Sequence, residues 1–177
     1  MALCDFVTHI KELVATLKTD TVTRNVLTNR ILITVIPLIF GGFIYLTYRV
    51  ETLKMFRWFD SIGASNFINF LRTNEILQAI SLPQWIKFSL PDALWIFSFT
   101  YFMLTIWKFK ITKSSAFWIF LAPTIGLFSE IGQLIGLIPG TFDLVDLIFL
   151  IVAMTIPFSQ LVIINFKTIN YEQIKNA

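Results

Sequence analysis

Four long apolar runs, each with at most one charged residue, most constrain what this chain can fold into. A membrane-spanning helix needs about 20 mostly apolar residues, because the hydrocarbon core is roughly 30 Å thick and each residue rises about 1.5 Å. Runs of this kind cover about residues 31–48, 89–107, 114–138 and 144–166. Only Asp92, Glu130 and Asp146 carry charge inside them. The pattern predicts an all-α, polytopic membrane protein built as a bundle of four transmembrane helices.

The composition supports this prediction and excludes other classes of protein. Of the 177 residues, 56% are hydrophobic and 14% are charged, whereas a soluble domain usually carries about a quarter charged residues. The net charge of +3 is typical of the basic cytoplasmic loops of membrane proteins, so it does not indicate nucleic acid. Cys4 and His9 are the sole residues of their types, which excludes an intramolecular disulfide and disfavours Cys-based or His-rich metal sites. The sequence identifies no cofactor.

Short polar connections between the runs indicate a single membrane domain over residues 1–177. Within residues 1–30, apolar side chains at helical spacing predict an amphipathic helix that either lies on the inner membrane surface or packs under the bundle; they are Phe6, Ile10, Leu13, Val14 and Leu17. The connection over residues 49–88 is too apolar for a solvated loop and too interrupted for a fifth span. It predicts one or two short interfacial helices that cap the outer face.

The distribution of lysine and arginine predicts the orientation of the bundle, because cytoplasmic loops carry an excess of both residues. With a cytoplasmic N-terminus, nine of these residues lie on the inner side and five on the outer side. Both termini are therefore predicted to be cytoplasmic.

Several polar residues are predicted to meet on the outer side. Glu130 and Gln133 are three residues apart and share a helix face, and so do Asp143 and Asp146. Asp92 begins its span on the same side. An ionised carboxylate at membrane depth costs roughly 2.5 to 3.5 kcal/mol, so such a group normally faces the bundle interior. We predict Glu130 and Asp146 as catalytic residues, and Gln133, Asp143 and Asp92 as substrate-binding residues.

Structural roles are the alternatives for these residues. Helix capping or a dipole contact is favoured for Asp92, and capping of the last span is as plausible as a functional role for Asp143. A protonated Glu130 that bonds Gln133 or a neighbouring helix is the alternative for that residue. In the same span, Gly132 and Gly136 have the GxxxG spacing that allows two helices to approach closely.

The order of these residues resembles the VanZ-like family of small bacterial membrane proteins. The resemblance runs from "LPDALW" to "DLVDLIF" and rests on Glu130, Gln133, the "PGTFD" turn and Asp146. The family usually has Arg after the turn glycine, where this chain has Thr141, so an activity that needs a cation there is not implied. The resemblance implies a multi-pass protein of the bacterial inner (cytoplasmic) membrane that acts on envelope lipids or lipid-linked precursors.

Three functions stay open at this level. In the first, the site binds or processes an envelope lipid; Glu130 is a general acid or base, and Asp143 and Asp146 hold a divalent cation through oxygen ligands. In the second, the protein is a non-enzymatic scaffold that binds a membrane-protein partner, and Glu130 and Gln133 form interhelical hydrogen bonds. In the third, a homo-oligomer conducts protons or ions through Glu130 and Asp146. The sequence does not decide whether the protein is an enzyme.

Overall fold

The protein is an all-α bundle, as predicted. The computed structural model describes residues 2–16, 21–49 and 54–175, and no strand occurs in these ranges. Its helices are α1 (Ala2–Thr16), α2 (Thr21–Tyr48), α3 (Lys54–Ser61), α4 (Ser65–Thr73), α5 (Glu75–Ala79), α6 (Gln84–Ile106), α7 (Lys113–Leu134) and α8 (Leu144–Lys175).

Four of these helices are long and apolar enough to cross a membrane: α2, α6, α7 and the Leu144–Phe166 part of α8. Helix α6 is central, because it packs against α2, α7 and α8. Its apolar window is 56% buried inside the protein, compared with 22% in each of the other three. Small residues on α6, such as the buried Ser89, Ala93 and Ser98, let the neighbouring helices approach closely.

The structure shortens the third span and changes the role of its two glycines. Helix α7 ends at Leu134, four residues before the expected end, because Gly136 has a left-handed φ of +70°. The Gly136 amide donates to the Gln133 carbonyl at 3.1 Å and the Leu137 amide to the Gly132 carbonyl at 2.8 Å, which is the pattern of a Schellman C-cap. A Cβ on Gly132 would lie 2.6 Å from Cδ1 of Ile138. The GxxxG spacing therefore forms a turn and not a contact between two helices.

Helix α1 packs under the bundle, which is one of its two predicted placements. The Phe6 ring stacks on Trp107 and Trp118, with centroid distances of 5.6 and 4.9 Å. Glu12 and Lys108 form an ion pair of 3.0 Å. Leu17, the last apolar residue of the predicted stripe, lies outside the described residues. Helix α1 therefore closes the end of the bundle that carries the α6–α7 connection.

The predicted interfacial segment forms three short helices, α3, α4 and α5, where one or two were expected, and they lie at the opposite end of the bundle. Arg72 of α4 donates from Nε to the Leu46 carbonyl, and the Tyr48 hydroxyl donates to the Leu77 carbonyl, both at 2.9 Å. These bonds hold the segment against the end of α2. Its exposed face carries large apolar side chains, as an interfacial position requires: Trp58, Ile62, Phe67, Phe70 and Ile76.

Candidate ligand-binding site

A cavity of about 900 Å³ lies between α6, α7 and α8 at the end of the bundle that carries α3–α5. Every site residue predicted from the sequence lines it: Glu130, Asp146, Gln133, Asp143 and Asp92. Glu130 interacts electrostatically with all three aspartates. The predicted convergence of the four carboxylates is therefore observed, and their catalytic and substrate-binding roles stay predictions.

Asp92 forms an ion pair and does not cap a helix. Helix α6 begins at Gln84, so Asp92 lies about two turns inside it, and the prediction of a capping or first-turn role is wrong. Nη2 of Arg49 lies 2.9 Å from Oδ2 of Asp92 and also donates to the Phe88 carbonyl at 3.1 Å. The pair joins the end of α2 to α6 at the edge of the cavity.

Arg49 lines the cavity and pairs with Asp92, and the sequence did not distinguish it as a site residue. It was one of five basic residues on its predicted side, and no spacing linked it to a carboxylate 43 positions later. The sequence feature that could have identified Arg49 is its position directly after an uncharged span. Arg72 fixes this part of the backbone, because Nη2 of Arg72 donates to the Arg49 carbonyl.

Asp143 caps the last helix, which confirms the structural alternative for this residue. Its Oδ1 accepts a hydrogen bond of 2.8 Å from the Val145 amide, two positions on, as an N-cap side chain does. Thr141, which precedes Asp143 in the turn, is exposed and lines the cavity.

Glu130 and Asp146 each present a buried oxygen without a partner. Among the residues that the structure describes, Oε2 of Glu130 and Oδ1 of Asp146 have no hydrogen bond. The Gln133 side chain lies against the turn instead, with Cδ and Nε2 3.0 Å from where a Cβ of Gly140 would stand. An unsatisfied buried polar group costs about 1 to 3 kcal/mol, and more when it is charged. Packing within the chain therefore does not explain these two carboxylates.

The donor set does not fit the divalent-cation site suggested for Asp143 and Asp146. Within residues 2–16, 21–49 and 54–175, no three His, Cys, Asp or Glu side chains converge as metal ligands. Asp143 moreover uses one carboxylate oxygen to cap α8.

The remaining wall of the cavity is apolar and leads toward the middle of the bundle. Along one face of α6, the lining changes from Asp92 to Trp95 and then to Phe99. A second groove of about 430 Å³ shares Trp95 and Phe99 with the cavity and continues to Phe102 and Thr34. Asp92 and Phe102 are about 15 Å apart along the axis, at roughly 1.5 Å per residue. The charged cavity and the apolar groove thus adjoin each other and share lining residues.

Fold and site together define an integral, multi-pass membrane protein with an amphipathic cavity at one end of a four-helix bundle. Comparison of the chain with protein-family models, curated proteins and solved structures found no match. The resemblance to the VanZ-like family stays a prediction.

Proposed function

We propose that this protein is a VanZ-like protein of the bacterial inner membrane that binds an envelope lipid or lipid-linked precursor in the cavity. The observation that carries the proposal is the change from carboxylates to aromatic and aliphatic side chains along the surface that the adjoining cavity and groove form together. Ligand pockets combine a mostly apolar lining with a few polar groups that fix orientation. A lipid matches this surface with its head group at the carboxylates and a hydrocarbon chain along α6.

Lipid binding can be tested by blocking the cavity chemically after the protein has folded. The folding reaction itself is then unchanged. In a Cys4→Ser background, Thr141→Cys is modified with a bulky maleimide, because Thr141 is exposed at the polar end of the cavity. Lys110→Cys, exposed at the other end of the bundle, is the matched control. We expect native mass spectrometry to show loss of bound lipid after modification at 141 only. Equal lipid retention in both modified proteins contradicts the proposal.

The same two variants test the proposed orientation. On intact cells, an impermeant thiol reagent is expected to label position 141 and not position 110. That pattern supports an outward-facing site and an envelope ligand. The reverse pattern places the cavity on the cytoplasmic side and contradicts the outer location.

Ala122→Phe provides a second test within the apolar part. Ala122 lines both the cavity and the groove, so the added ring fills the path proposed for the hydrocarbon chain. Val152→Phe introduces the same ring on an exposed face of α8. Loss of bound lipid in the first variant and not in the second is the expected result, with thermal unfolding of both as the check of folding.

A further inference from the structure

The polar end of the cavity holds fewer basic than acidic side chains. This imbalance constrains which head group the proposed lipid can carry. Arg49 is the one basic residue among the described residues that line the cavity, and four carboxylates line it with Arg49. Lys87, on the same part of α6, instead lies over the Tyr48 ring at 5.6 Å. The site therefore holds more acidic groups than the chain compensates with its own cations.

Arg49 is partly engaged by groups of the protein, through Nη2, and its buried Nε has no hydrogen-bond partner among the described residues. Its guanidinium contacts Asp92 and the Phe88 carbonyl, and it lies 5.4 Å from the Tyr45 ring centroid and 5.1 Å from that of Phe88. Glu130 and Asp146 receive no donor at their buried oxygens. A ligand that compensates this excess of carboxylates must therefore bring positive charge to the part of the cavity between α7 and α8.

The walls beside the carboxylates also suit a cation. Trp95, one helical turn from Asp92, lines the same cavity, and aromatic rings attract ammonium groups through their negative faces. Neutral hydroxyl groups, as on a sugar, would satisfy the carboxylate oxygens but leave the excess negative charge uncompensated in a site of low dielectric. An anionic head group would add to this charge.

We infer that the head group bound between Glu130 and Asp146 carries an ammonium group. The inference rests on the proposed lipid-binding function and specifies its ligand class. The ammonium pairs with the carboxylates of Glu130 and Asp146, and the hydrocarbon chain of the same molecule follows α6 from Trp95 to Phe102. A lipid amine and a water-soluble amine share this head-group chemistry, and only the lipid occupies the groove.

The test is competition between lipids with identical acyl chains, measured by native mass spectrometry of the purified full-length protein. The probes are phosphatidylethanolamine, phosphatidylglycerol and a neutral galactosyl diacylglycerol, with free ethanolamine as the soluble amine. Charge-assisted hydrogen bonds are strong enough that we expect about a tenfold preference for phosphatidylethanolamine. In the double variant Glu130→Gln, Asp146→Asn this preference is expected to disappear, whereas Glu75→Gln, an exposed residue of α5, keeps it.

The outcomes separate the head-group inference from the proposed function. Preferential binding of phosphatidylglycerol or the galactolipid, lost when position 141 is blocked, overturns the ammonium inference and retains lipid binding in the cavity. Lipid binding that does not change when position 141 is blocked overturns the proposed function itself. Displacement of phosphatidylethanolamine by equimolar free ethanolamine supports amine recognition and contradicts a contribution from the chain groove.

Discussion

Arg49 and Asp92 form a 2.9 Å ion pair that joins the residue directly after α2 to the first half of α6. The pair stands where the polar end of the cavity meets the interfacial helices. It leaves Glu130 and Asp146 as the carboxylates with unpartnered buried oxygens among the described cavity-lining residues. Mutations of the ion pair and mutations of the two unpartnered carboxylates are therefore expected to have opposite effects on stability.

Breaking the ion pair is expected to lower stability. Arg49→Met leaves Asp92 without its cation, and Asp92→Asn leaves the guanidinium without its carboxylate. Because the Asp92 side chain is 53% exposed, we expect a coupling free energy of about 0.5 to 1 kcal/mol in a double-mutant cycle. Unfolding in a graded series of denaturing detergent measures it. Arg57→Met, at an exposed position of α3, controls for loss of charge, and a coupling energy of zero contradicts the observed pair.

Neutralising Glu130 is expected to leave the folded state intact or stabilise it. Glu130→Gln and Glu130→Leu both remove a carboxylate whose buried oxygen has no partner, so no hydrogen bond is lost with that oxygen. The melting temperature of each purified variant is expected to equal or exceed that of the natural protein. The scaffold hypothesis predicts a different result, because an interhelical hydrogen bond survives in the Gln variant and fails in the Leu variant. Selective destabilisation by Leu would favour the scaffold.

Replacing either of two glycines that have open space around them by alanine is expected to change the stability of the protein, in opposite directions. Gly42 lies inside α2 and Gly136 has a φ of +70°, and a Cβ at either position meets no atom within 4 Å. Gly42→Ala is therefore expected to stabilise the helix by up to about 1 kcal/mol. Gly136→Ala is expected to cost about 1 to 2 kcal/mol, because a side chain disfavours the left-handed conformation. Denaturation of the two variants side by side measures both effects. Equal destabilisation would contradict the C-cap described for α7.

The attachment of α1 is expected to weaken in acid. The hydrogen bond and charge of Lys108 hold the pKa of Glu12 below its ordinary value of 4.5, against a small opposing effect of burial and with a further contribution from His9. A carboxylate with a lowered folded pKa stabilises the fold above its unfolded pKa and loses this effect as the pH falls through the folded pKa. The contribution is therefore fully present at neutral pH and is lost below about pH 4.5.

A spin label on Cys4 measures this attachment, because Cys4 is exposed on α1. Label mobility is expected to rise as the pH falls below 4.5 in the natural protein. In Glu12→Gln the label is expected to be mobile already at neutral pH and to change less on acidification. Identical pH profiles in the two proteins would show that the Glu12–Lys108 pair does not hold α1 in place.

The sequence by itself determined the number of spans and the grouping of the polar residues. Spans are readable because the thickness of the bilayer imposes a length on apolar helices, independent of how they pack. Once the spans alternate in direction, Asp92, Glu130 and Asp146 must come to one end of the bundle. Local chemistry also made capping one of the two roles predicted for Asp143, because the hydrogen bond of a cap joins residues two positions apart.

Only the tertiary structure decided which of these groups are paired. The Arg49–Asp92 pair, the Arg72 bond to the Arg49 carbonyl and the packing of α1 join residues far apart in the chain, and no local periodicity encodes such contacts. The end of α7 was also misplaced from sequence, because residues 135–138 are as apolar as the helix before them, and the backbone conformation of Gly136 decides where that helix stops. The lack of a hydrogen-bond partner at the buried oxygens of Glu130 and Asp146 could be recognised only from the positions of the neighbouring donors in the structure.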